Sequence, residues 1–249
     1  IWYDSVGSGK PGLVNRAIND LGEAYMYTGD IKYGRAGAVL VDRIADVYPT
    51  YDLRPYLTRF ANSDGGAVRG KIIGSIWETY LGQDLVASYD AMFPAYDDPW
   101  VVNYLSEKAK KFNLENDKST PEKIRQNCED GLLRETYDAV KSAMSMGNTG
   151  MHQNSCAMAA VILDTHPDTD EMIDWVFAYS KSDSTSYNTG GGVNQSLVNS
   201  VGRDGQGSES AFGYNRMWVT QLTEVANTLA RYPEYNGMSL YENPKYVGM

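Results

Sequence analysis

Two histidines occur in the chain, and one of them, His152, stands where polar chemistry meets an apolar helix. The stretch Gly147-Asn148-Thr149-Gly150-Met151-His152-Gln153-Asn154-Ser155-Cys156-Ala157-Met158-Ala159-Ala160 opens as a Gly-rich turn, then runs apolar on nearly every side. A helix of that kind belongs inside a protein. Its first turn nevertheless carries an imidazole, with the amides of Asn148, Gln153 and Asn154 around it. Such groups cost free energy to bury unless they are paired or used. His152 and these amides therefore form a candidate active site, although a lone histidine on an apolar helix is otherwise a satisfied core group.

A second polar concentration runs Arg203-Asp204-Gly205-Gln206-Gly207-Ser208-Glu209-Ser210-Ala211-Phe212-Gly213-Tyr214-Asn215. Its first glycines make a tight loop, and Ser208 or Glu209 stands where a helix N-terminus needs an acceptor. Capping accounts for Ser208 but not for Gly213, because glycine costs up to about 1 kcal/mol inside a helix. A close approach to the backbone beside Tyr214 is expected. A third group is Trp77-Glu78-Thr79-Tyr80, with Gln83 and Asp84 one turn on. Glu78 and the faces of Trp77 and Tyr80 suit a sugar groove; an exposed helix surface explains Glu78 and Asp84 equally well. No metal set or cofactor motif emerges. Two unrelated histidines and no cysteine pair give no ligand spacing, and there is neither a Gly-x-Ser-x-Gly elbow nor a phosphate loop with a following lysine. Gly190-Gly191-Gly192 reads as a hinge or turn.

Composition narrows the partners. The net charge is -10, and the longest basic run is Lys110-Lys111, which disfavours a nucleic-acid surface. No apolar run approaches the roughly 18 residues of a membrane span. Nineteen tyrosines against five phenylalanines suit wet grooves and carbohydrate clefts, though most will line helix seams. Cys128 and Cys156 match neither a disulfide framework nor a metal knuckle, and a bridge between them is left open. The start at Ile1 rather than Met leaves open that an upstream segment was removed.

These groups must be positioned by helices, since no stretch reads as a strand. Apolar spacing predicts helices over Pro11–Tyr27, from Asp30 to Pro49 (with Tyr33, Ala36, Val39, Leu40, Ile44 and Val47 inward), over Lys71–Phe93 and Pro99–Phe112, and from Thr120 to Met146. Further helices run from the Gly147 stretch to Asp164, from Asp168 or Asp170 to Tyr179, over Val193–Val201 and over Glu209–Arg231. Tyr48-Pro49, Phe93-Pro94, His166-Pro167 and Tyr232-Pro233 each end a helix, followed by Asp52, Asp97, Asp170 and Asn236. This repeat gives His166 a structural place at a helix end. Repeated antiparallel hairpins bury their faces by stacking. The expectation is one all-α domain over residues 1–249, a solenoid or an (α/α) toroid, closed or incomplete.

The segments Gly147–Gln153, Asp204-Gly205 with Glu209, and Gly213-Tyr214-Asn215 resemble the heparinase II/III-like polysaccharide lyases. Ala24–Asp30 and Asp42–Pro49 are similar to the toroid of that family, and the likeness spans residues 20 to 235. It implies an α/α toroid followed by a β-sandwich region that lies outside this chain. It also implies a periplasmic or secreted setting, and β-elimination on an acidic, uronic-acid-containing polysaccharide or oligosaccharide without a cofactor. Elimination must neutralise the uronate carboxylate, remove the C5 proton and protonate the leaving oxygen. By the resemblance Tyr214 is general acid and also a candidate base, and His152 is base or carboxylate-neutralising partner. Asn148 supports the catalysis, while Gln153, Asn154, Glu78, Trp77, Tyr80, Arg203 and Glu209 bind substrate. One position departs from the pattern: Met151 stands where related lyases carry Asn. Either Asn148 or Asn154 then supplies that amide, or the role is lost. The charge of -10 favours a less sulfated uronate polymer unless Arg69, Lys71, Arg203 and Arg216 gather in one cleft. Two other readings are a non-catalytic glycan-binding toroid and a glycoside hydrolase using paired carboxylates such as Glu78, Asp84 or Glu209.

Overall fold

The computed structural model describes residues 12–56, 70–72, 76–181 and 189–249. Among the described residues the structure is all-α: there is no strand, only an isolated antiparallel bridge between Val201 and Gly207. No described helix is long and apolar enough to cross a membrane. The chain divides into two compact units, residues 1–52 with 84–135 and residues 53–83 with 136–249.

In the first unit α1 (Leu13–Thr28) and α2 (Ile31–Val47) form the expected hairpin. Gly29 ends α1 in the left-handed region (φ 64) and its N–H reaches the Tyr25 carbonyl. Asp30 caps α2 by accepting the Lys32 N–H at 3.0 Å. Of the inward face expected for α2, Ile44 is buried, and the rest differs. Gly34, Gly37, Ala38, Val41, Asp42 and Ala45 are buried, while Ala36 is exposed and Tyr33, Val39 and Leu40 are half-buried. Small residues let neighbours come close, and a Cβ on Gly37 would overlap the Met92 side chain. Helix α3 (Glu78–Met92) begins at Glu78 rather than Lys71; its residues from Asp84 on belong to this unit. Asp98 caps α4 (Pro99–Phe112) through the Trp100 and Val101 amides. Thr120 caps α5 (Pro121–Cys128), which widens into a π-helical turn over Glu129–Arg134 and continues as α6 (Glu135–Lys141), whose residues from Thr136 on belong to the second unit. The predicted helix to Met146 thus ends early. The wide turn holds Gly131, whose missing Cβ leaves room for the Ala45 carbonyl of α2.

The first unit also buries a charge cluster. Lys118 Nζ donates to Asp42 Oδ2 at 2.7 Å and to Asp46 Oδ1 at 2.6 Å. Asn127 Nδ2 donates to Asp42 and Asp46 at 3.0 Å each. Burial raises the Asp42 pKa, and the Lys118 charge works against that shift.

In the second unit α7 (Met151–Leu163) packs against α8 (Asp168–Phe177) and α10 (Phe212–Ala230). Between them in sequence lies α9 (Val193–Ser200), which touches α8 and the short α11 (Pro244–Val247). Met151, Cys156, Ala157, Ala159 and Ala160 are buried all along α7, as an all-round apolar helix requires. Polar contacts cross its buried side, although Asn154 Oδ1 is buried there without a hydrogen bond among the described residues. Gln83 Nε2 donates to the Met151 carbonyl at 3.0 Å and to Gln221 Oε1 at 3.2 Å, and Ser155 Oγ donates to the Thr79 and Met151 carbonyls. Helix α10 starts at Phe212, not Glu209, because the Asn215 amide closes on the Glu209 backbone from both sides (3.2 and 2.9 Å). Cys128 and Cys156 are both buried free thiols, with no bridge.

Candidate active site

The turn into α7 is built by contacts that only glycine allows. Gly150 holds φ +92, and a Cβ there would lie 2.7 Å from Gln221 Cβ and 3.2 Å from the Leu222 nitrogen of α10. Gln153 Oε1 accepts the Gly150 N–H at 2.8 Å, and its Nε2 donates to the Gly191 carbonyl at 2.6 Å. Gln153 thus joins the mouth of α7 to the glycine triplet. That triplet is no free hinge: Gly191 N–H reaches the Trp175 carbonyl and Gly192 N–H the Ala178 carbonyl, and a Cβ on Gly191 would stand 2.5 Å from the Val176 carbonyl oxygen.

His152 projects from this turn and is half-buried. Its Nδ1 lies 3.2 Å from the Gly147 carbonyl oxygen. A carbonyl only accepts, so this contact assigns the proton to Nδ1 and leaves the lone pair on Nε2. Among the described residues no group bonds Nε2. The ring lines a cleft of about 410 Å³ together with Thr149, Gln153, Gln195, Ser196 and Asn199. The walls are amides and hydroxyls, suited to hydrogen bonding a polyhydroxyl ligand. Burial disfavours the imidazolium and pushes His152 down to about 4, while the Gly147 carbonyl opposes the shift. The ring is neutral at pH 7.

The other expected site residues divide. Asn148 is half-buried in the same turn but is not on the wall of the His152 cleft; its N–H reaches Met151 Sδ at 3.3 Å and its Nδ2 reaches Met217 Sδ at 3.7 Å. Thioether sulfurs are weak acceptors, so the Asn148 amide is only lightly committed. Met151, the departing position, is fully buried, its sulfur supporting Asn148. Asn154 is sealed in the interior at 2% exposure with no hydrogen bond to its Oδ1, and it is not on the cleft wall. Glu78 corrects the sugar-groove expectation. It is 1% exposed and its carboxylate accepts the Ile72 N–H at 3.0 and 3.3 Å, so it is neither a groove lining nor an exposed surface residue. Trp77 and Tyr80 stack on each other at 5.8 Å and are half-buried.

Arg203 and Tyr214 are exposed, Glu209 is half-buried, and none of the three is on the wall of the His152 cleft. A Cβ on Gly213 would meet nothing within 4 Å, so among the described residues none makes the close approach expected there. Of the four cations considered together, Lys71 is buried, Arg203 and Arg216 are exposed, and Arg69 lies outside the described residues. Gln195 and Asn199 on α9 were not anticipated. Their four-residue spacing on one face of a short helix after the glycine triplet was the available signal.

No family model, curated protein or solved structure matches this chain.

Proposed function

We propose that this chain is the α/α-toroid domain of a polysaccharide lyase that cleaves a uronic-acid-containing polymer by β-elimination. The observation that carries the reading is His152. It is a neutral imidazole with Nδ1–H held by the Gly147 carbonyl, and with Nε2 unpartnered among the described residues, in an amide-lined cleft. The hairpins α1–α2 and α7–α8 support the toroid part of the reading. In the reaction His152 Nε2 takes the C5 proton and the electron pair forms the C4–C5 double bond. The 4-oxygen departs with a proton from Tyr214. The Asn148 amide hydrogen-bonds the uronate carboxylate, which makes the C5 proton more acidic. A bound uronate also raises the His152 pKa, because a neighbouring anion favours the imidazolium.

Screening uronate polysaccharides for the ultraviolet absorbance of the unsaturated product tests this directly, since hydrolysis creates no such chromophore. Tyr214→Phe and His152→Ala are each expected to remove most activity while leaving the helical circular dichroism unchanged. Wild-type turnover by either variant, or no unsaturated product from any uronate polymer, overturns the assignment. A glycan-binding domain without turnover is the second reading. Tyr214, exposed and off the cleft wall, is the observation that favours it, and binding unaffected by Tyr214→Phe would decide for it. The burial of Glu78 removes one carboxylate from the hydrolase alternative.

A further inference from the structure

Two of the helix-end motifs meet on the surface of the second unit. Asp164 ends α7 in left-handed backbone (φ 44, ψ 47), a conformation Asp adopts more readily than most residues. His166 follows it, and Tyr232-Pro233-Glu234 follows α10. The exposed His166 ring has a carboxylate on each nitrogen: Nδ1 is 2.7 Å from Asp170 Oδ2, and Nε2 is 2.7 Å from Glu234 Oε2. Asp164 brings a third carboxylate, whose Oδ1 accepts the Tyr232 hydroxyl at 2.7 Å. Ligand atoms of Asp164, His166 and Glu234 all lie within 4.8 Å of one another.

A neutral imidazole has one N–H and cannot serve two carboxylates. The second nitrogen needs either another proton or a cation. With a proton the cluster sets three carboxylates against one positive charge, within a chain already at -10. A divalent cation balances it better. Asp170 then stands where metal-bound histidines usually find their partner: it takes the other ring N–H and fixes the tautomer with the lone pair on Nε2. Bonds of 2.0–2.2 Å in a tetrahedral site put neighbouring ligand atoms about 3.3 Å apart. The gap between His166 and Glu234 therefore opens by well under an ångström, and both side chains are exposed enough to move. One imidazole and two carboxylates is a donor set for zinc-class transition ions rather than calcium or magnesium.

We propose that Asp164, His166 and Glu234 bind a zinc-class divalent cation at the surface of the second unit, with Asp170 as the positioning residue. The ion ties the α7–α8 connection to the segment after α10. It stands apart from the His152 cleft and from any turnover there.

The test is to dialyse the full chain against chelator and titrate it with Zn²⁺ by calorimetry, following both histidine rings by NMR. One equivalent binds, the His166 resonances move and those of His152 do not. His166→Gln and Glu234→Gln lose the site, and Asp170→Asn weakens it by about 10–100-fold. A His166 ring indifferent to Zn²⁺ overturns the proposal without recourse to any variant. So does binding that survives both substitutions, or a preference for Mg²⁺ or Ca²⁺ over Zn²⁺.

Discussion

Acidification should loosen the second unit through His152. The ring falls from an ordinary value of 6.5 to about 4 in the fold because burial penalises its cation. A histidine whose folded value lies below its unfolded value binds fewer protons folded than unfolded, so stability rises with pH between the two values. Folding is therefore unaffected by this group above about pH 6.5, weakens as pH falls from there towards 4, and loses no more below that. The whole interval corresponds to about 3 kcal/mol as an upper value, reduced by the water that reaches the half-buried ring through the cleft. Many carboxylates titrate in the same range, so the informative quantity is the difference between wild type and His152→Gln, read by hydrogen exchange at α7 amides from pH 4 to 8. The variant lacks the His152 share of the slope between 4 and 6.5. NMR titration of the two histidines gives a second readout. His166 moves the other way, raised first by its bond to Asp170 and then by Glu234, so the two midpoints separate on either side of the ordinary value. A His152 midpoint at or above 6.5, or parallel pH profiles for wild type and variant, refutes the account of a desolvated neutral imidazole.

Two further outcomes follow from buried polar groups. Lys118→Met leaves Asp42 and Asp46 without their buried cation and should cost about 3–5 kcal/mol; the urea midpoint of the first unit measures it, and adding Asp42→Asn should recover part of the loss. Gln153→Ala orphans the Gly150 N–H and the Gly191 carbonyl, each worth about 1–3 kcal/mol when buried and unpaired. Its signature is faster exchange of the Gly150 amide together with a lower melting temperature, and unchanged exchange there would contradict the clamp.

What could be read in advance was mostly local chemistry. Gly29, Asp30, Asp98 and Thr120 act within three or four residues of themselves, and each stops or caps a helix as its side chain dictates. The inward face of α2 was hidden because Gly34 and Gly37 carry no hydrophobic signal; their burial is decided by Met92 and other partners distant in sequence. Glu78 has the composition of a surface or sugar-binding residue, but the Ile72 backbone claims it. Gln153 shows the same confusion at the candidate site. An amide beside a histidine looks like a substrate ligand, yet both ends of this one are spent on the backbone of Gly150 and Gly191. The place of His152 at the mouth of a buried helix was legible from the clash between polar residues and an apolar run. Its neighbours Gln195 and Asn199 were not: Val193 and Leu197 anchor that short helix, but two amides four residues apart on it look like ordinary surface.

The two cysteines fall one to each compact unit, Cys128 in the first and Cys156 in the second. Burial pushes both thiols up, away from the reactive thiolate. Each can meet an alkylating reagent only while its own surroundings are open. A brief reagent pulse, followed by peptide mass analysis, would therefore clock the breathing of each unit separately in the unaltered protein. The chain carries its own pair of stopwatches.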